Sequence, residues 1–131
     1  MMTVKLRDLA VAVATSALLA PLAASAAGDA AAGKTLFTTN CASCHGDSGK
    51  GDGPVGSTLK PPLGPPRDFT KAEFKFDTDK DGKTGTDADL KNVISKGAAA
   101  FGGSPMMAPW PSFTDAQYAD LIAYIRTFHK P

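Results

Sequence analysis

Residues 46–70 constrain this chain more than any other stretch. They carry Gly46, Gly49, Gly51, Gly53, Pro54, Gly56, Pro61, Pro62, Gly64, Pro65 and Pro66. Proline removes backbone donors and glycine weakens any regular element, so this segment can be neither a regular helix nor a central strand. A second segment, Ala98 to Phe113, also lacks a helical or alternating pattern. Two long irregular loops in a small chain fit base rates poorly unless a large body occupies the middle.

The rest of the pattern is helical. Asp29 is placed to cap a helix running to Asn40, with Leu36 and Phe37 on its apolar side. Thr86 and Asp89 form a capping pair ahead of Leu90, Val93 and Ile94, and Gly97 stops that helix. Thr114-Asp115-Ala116-Gln117 is a capping box. It leads into a stripe of Tyr118, Leu121, Ile122, Ile125 and Phe128 at i, i+3, i+4 and i+7 spacing. No alternating strand pattern and no internal repeat is present. The expectation is an all-α fold of three to four helices and long loops.

The chain of 131 residues is long enough for one domain. Its first 26 residues read as an export signal. Lys5 and Arg7 give a positive start, an apolar run extends from Leu9 to Ala20, Pro21 breaks it, and Ala24-Ser25-Ala26 offers small residues for cleavage. The apolar run is shorter than the ~20 residues of a membrane span. The expected division is 1–26 signal peptide and 27–131 mature domain. Removing Lys5, Arg7 and Asp8 from 14 basic and 13 acidic residues leaves 12 of each. A formally neutral domain argues against nucleic acid as a partner. About 105 residues with thin apolar content gain from a staple or a cofactor.

The only two cysteines lie in Cys41-Ala42-Ser43-Cys44-His45. A zinc site needs about four ligands, and only His45 and the distant His129 remain to complete one. A redox dithiol expects a strand and a βαβ context, which are missing. A disulfide between residues three apart closes a tiny loop and constrains little. The remaining reading is C-x-x-C-H, a covalent haem attachment. Two thiols one helical turn apart can add to two vinyl groups along a porphyrin edge, and the following histidine can reach the iron.

Other residues accompany that motif. With Gly33 and Phe37 ahead of Cys41 to His45, Gly103 to Gln117 holding Met106 and Met107, and Asp120 to Phe128 holding Leu121 and Tyr124, the chain resembles the class I cytochromes c over nearly all of its mature length. The resemblance implies that the first and last helices cross, that Gly33 lets their backbones approach, and that Phe37 packs on Leu121 and Tyr124. It implies one haem c held by Cys41 and Cys44, with His45 and Met107 as axial ligands. A tyrosine seventeen residues past the ligand selects Met107, which leads to Tyr124; Met106 is left as a packing residue. Ala108 stands where the family usually has proline. His129 is the remote rival ligand. Trp110 is expected against the haem. Arg67 and Lys60 are expected to neutralise the propionates, and a prolyl carbonyl of the first loop to accept the His45 Nδ1–H bond.

The resemblance further implies a soluble periplasmic one-electron carrier, not an enzyme. Its partners are a donor and an acceptor among respiratory complexes or a dehydrogenase, docked weakly, with Lys50, Lys60 and Lys96 near the haem edge. The rivals are a haem subunit of a larger oxidoreductase, or an open-site haem enzyme or sensor. One further stretch, Asp77-Thr78-Asp79-Lys80-Asp81-Gly82, matches the start of a calcium-binding EF-hand loop. Ala88 stands where the bidentate Glu belongs, so a solvated acidic turn is the preferred reading.

Overall fold

The computed structural model describes residues 27–129, and the segment 1–26, expected above to be an export signal, lies outside the described residues. Four helices carry the fold: α1 (Ala30–Asn40), α2 (Ala42–His45), α3 (Asp87–Lys96) and α4 (Asp115–Arg126). Short 3-10 turns interrupt the loops at Gly56–Thr58, Phe69–Lys71 and Ala98–Phe101. No strand occurs among the described residues.

Local chemistry explains where the helices begin. The Asp29 carboxylate accepts from the Ala31 and Ala32 backbone N–H groups, satisfying donors that a helix start leaves unpaired. Reciprocal capping boxes start α3 at Thr86 and Asp89 and α4 at Thr114 and Gln117. Gly97, at φ 79°, ends α3 in a conformation that costs glycine little. The structure adds α2, a single turn over the cysteine motif, to the three helical patches legible in the sequence.

α1 packs directly on α4. A Cβ at Gly33 would overlap the Asp120 carbonyl of α4, so the two backbones touch there. The Asp29 N–H donates to Asp120 Oδ1 at 2.7 Å and ties the start of α1 to the same helix. Phe37 and Leu121 are among the most buried side chains of the fold. Phe37 meets Tyr124 edge-on, with ring centroids 5.3 Å apart. Leu90 and Ile94 of α3 and Tyr118, Ile122 and Ile125 of α4 complete the core.

The Asp77 to Gly82 stretch forms a turn. The Asp77 carboxylate accepts from Asp81 N–H at 3.1 Å and Gly82 N–H at 3.0 Å. Ala88, the position a calcium loop would need, lies in the first turn of α3. No helix precedes the turn directly.

Candidate functional site

The Gly- and Pro-rich loop folds back over α2 and fixes it from outside. Gly51 N–H donates to the His45 carbonyl at 2.8 Å, Gly53 N–H to the Cys44 carbonyl at 3.2 Å and Val55 N–H to the Ser43 carbonyl at 2.9 Å. Gly56 lies so close to the Cys44 carbonyl that a side chain there would overlap it. The glycines are therefore how a loop without regular structure satisfies the backbone of a one-turn helix.

Beyond α2 the loop delivers two groups to His45. Its Nδ1 donates to the Arg67 carbonyl at 3.3 Å. The Phe69 ring lies parallel to the imidazole, with centroids 4.5 Å apart and planes 17° apart. The expected prolyl acceptor is thus corrected to Arg67, the residue after Pro66. The Pro66 carbonyl is turned toward Gly51 instead, where a Cβ would meet it. His45 is buried at 8% exposure. Burial lowers its pKa and the Arg67 bond only partly opposes this, so the imidazole favours its neutral form. With Nδ1 engaged, Nε2 is the nitrogen left for a ligand.

Cys41 and Cys44 are half-buried and are not joined to each other by a disulfide. Burial, reinforced by the neighbouring Cys44, pushes the Cys41 thiol up to about 11. Both thiols and His45 open on one cavity of about 790 Å³, within the size range of small-molecule and cofactor sites. Phe37, Phe69, Phe74, Leu90, Ile94 and Leu121 give it an apolar wall.

The second irregular loop closes the same cavity. Ala98 N–H donates to the Met107 carbonyl at 3.2 Å, and Trp110 N–H to the Ile94 carbonyl at 2.9 Å. Tyr118 Oη donates to the Trp110 carbonyl at 2.6 Å. These bonds staple the methionine segment to the end of α3 and to α4. Met106, Met107 and Trp110 all line the cavity. Met107 is half-buried against the core, whereas Met106 is 49% exposed. Met106 borders the cavity as well, so its exposed surface includes area facing that space. Trp110 stacks on Phe113, with centroids 5.7 Å apart.

The charged residues are redistributed. Arg67 lines the cavity, as do Lys71 and Lys75. Lys50, Lys60 and Lys96 are not among the lining residues. Lys96 lies over the Phe101 ring at 6.0 Å. His129 is exposed, with Nδ1 2.9 Å from the Thr70 carbonyl, which removes it from the cavity. Reading the sequence missed Phe69, Phe74 and Asp89 as wall residues. Their only signal was a few apolar side chains and a capping carboxylate in otherwise patternless sequence.

The chain matches the family model for cytochrome c over residues 30–129 and belongs to that family. It is similar to cytochrome c-554(547) of Halothiobacillus neapolitanus, with 67% identity over 27 residues, or 21% of this chain. That match spans only 30% of the relative's own length. It is also similar to a chain of the Kuenenia stuttgartiensis reducing HAO-like protein complex, with a TM-score of 0.60 and 34% identity. The likeness covers 75% of this chain and 41% of that one.

The family implies covalently bound haem c, and this cavity suits it. Two thiols at C-x-x-C-H spacing, a buried imidazole with one nitrogen already engaged, a thioether and an apolar wall surround a single space. Among the described residues no helix is long and apolar enough to cross a membrane.

Proposed function

We propose that this chain is a soluble one-electron carrier with one haem c. The haem would be held by thioethers from Cys41 and Cys44, with His45 and Met107 as axial ligands. The observation that carries this reading is that His45 and the half-buried Met107 line the same cavity. When bound, the haem supplies the Fe(III)/Fe(II) couple. The residues do the rest. Arg67 and Phe69 orient the imidazole, and the Arg67 acceptor increases its basicity. The Met107 thioether, a soft neutral donor, favours Fe(II) and raises the potential relative to two histidines. The apolar wall excludes water, and the stapled loops limit rearrangement between oxidation states. With His45 and Met107 both bound, the iron would offer no place for a substrate, which favours a carrier over an enzyme.

The reading of residues 1–26 as an export signal supports a periplasmic location for this carrier, between larger redox proteins. Lys71, Lys75 and Arg67 at the cavity bias its docking, which should be weak and salt-sensitive. The likeness to a chain of a reducing HAO-like complex favours a second reading, a haem subunit bound within a larger oxidoreductase. Purification at low and high salt separates the two, since a subunit remains with its partner and a carrier does not.

The coordination of the isolated holoprotein tests the central claim. Haem should remain with the polypeptide through acid extraction. The ferric protein should show the weak far-red charge-transfer band of an iron–thioether bond, and the ferrous protein should not bind carbon monoxide. Extractable haem, or ready carbon monoxide binding, overturns it.

A further inference from the structure

Asp89 is a buried carboxylate in the cavity wall. It is 1% exposed and lines the cavity beside Leu90, Val93 and Phe76. Oδ1 accepts from the Thr78 N–H at 2.5 Å and Oγ1 at 2.8 Å. Oδ2 accepts from the Thr86 N–H and Oγ1, both at 2.9 Å. A capping box accounts for the Thr86 pair. It does not account for Thr78, which reaches in from the acidic turn, or for a capping carboxylate being this buried.

All four donors are neutral. Among the described residues no Lys, Arg or His makes an ion pair with Asp89. The charged groups gathered on it are the carboxylates of half-buried Asp77 and exposed Asp79, with oxygens within 4.8 Å. A counter-ion would satisfy a buried carboxylate and cancel its charge. Threonine donors satisfy it and leave the charge intact. Burial opposes ionisation, but the Thr78 and Thr86 bonds overcome it and hold the carboxyl down to about 2. The first turn of a helix also favours a negative group.

We infer that Asp89 is a fixed negative charge built into the haem cavity wall, which lowers the reduction potential independently of the axial ligands. The inference rests on the haem reading above. Ferric haem carries one more positive charge than ferrous, so a buried anion stabilises the ferric form, and solvent and salt screen it little there. Asp89 is a tuning residue, and the potential is the readout that a purely structural role leaves still.

The test compares reduction potentials of the wild-type, Asp89→Asn and Thr78→Val holoproteins at neutral pH. Wild-type protein is first checked for acid-stable haem and the far-red band; failure there is failure of the haem reading, not of this inference. Asp89→Asn should raise the ferrous-to-ferric ratio at fixed potential about tenfold, an upward shift of about 59 mV. Thr78→Val keeps the charge and loses one donor, so it should lower stability yet leave the ratio within about twofold. An Asp89→Asn potential within twofold of wild type overturns the inference. So does a Thr78→Val shift as large as that of Asp89→Asn, because the cause would then be a loosened wall. If Asp89→Asn does not accumulate, Asn92→Lys takes its place. The Asn92 amide donates to Thr78 Oγ1 at 2.9 Å, and an ammonium there should raise the potential; no rise overturns the inference.

Discussion

Phe69 lies flat against His45, 4.5 Å between ring centroids, two residues after the Arg67 carbonyl that accepts from His45 Nδ1. One short segment therefore governs both an edge and a face of the imidazole. Phe69 also stacks on Phe74 and Phe128, so the histidine is held by an aromatic cluster that includes a residue just past the end of α4.

Phe69→Ala should cost about 3–5 kcal/mol of holoprotein stability, as expected when a buried aromatic side chain is removed. It should also broaden the range of His45 orientations. Denaturant unfolding followed by haem absorbance measures the first effect, and nuclear magnetic resonance line widths of the His45 ring protons measure the second. A loss below about 1 kcal/mol would mean that Arg67 alone positions the ring.

Gly33→Ala places a methyl group where the Asp120 carbonyl of α4 stands. Backbone atoms cannot step aside as a flexible side chain could, so α1 must move off α4. The expected cost is about 1–3 kcal/mol or more, with a lower thermal midpoint and reduced holoprotein yield. A variant as stable as wild type would show that the two helices do not approach this closely.

What could be read from the sequence follows a physical division. The helix starts at Asp29, Thr86 and Thr114 were legible because capping chemistry is local: the cap and its donors lie within three residues. The cysteine motif and the Met106–Met107 loop were legible because their chemistry is written in adjacent residues. The Arg67 acceptor, the Phe69 stack and the Thr78 bonds to Asp89 were not. Each depends on the path of a Gly- and Pro-rich or acidic loop that has no periodicity to project, and Thr78 meets a partner eleven residues away. Two adjacent methionines in a loop likewise carry no pattern saying which one packs more deeply on the core.

Acid should weaken the fold through Asp89. Its folded value, about 2, lies below the ordinary 3.8. A depressed carboxylate binds protons less readily in the folded state. Its stabilisation is therefore complete above about pH 4 and lost as pH falls toward 2. The stability gap between wild type and Asp89→Asn, followed by circular dichroism from pH 5 to pH 2, should narrow across that window. A constant gap would show that the charge contributes nothing to folding.

Trp110 lines the cavity and is 36% exposed. Energy transfer to a haem in that cavity should quench its emission in the native holoprotein. Emission should appear on unfolding. Bright native fluorescence would mean that the bound haem lies elsewhere or that the methionine loop stands off it.

The two methionines separate carrier from open site. Met107 packs against the core, and its carbonyl accepts from Ala98 N–H at the end of α3, so its backbone is held while its side chain borders the cavity. Met106 is half exposed. Met107→Ala should abolish the far-red band, let the ferrous protein bind carbon monoxide, and lower the potential, because a donor favouring Fe(II) is gone. Met106→Ala should keep the band and cost only packing stability, about 1–3 kcal/mol. The reverse pattern would assign the ligand to Met106 and leave the carrier reading standing. A wild-type protein that lacks the band and takes up carbon monoxide would instead leave the sixth position open, as in a haem enzyme or sensor.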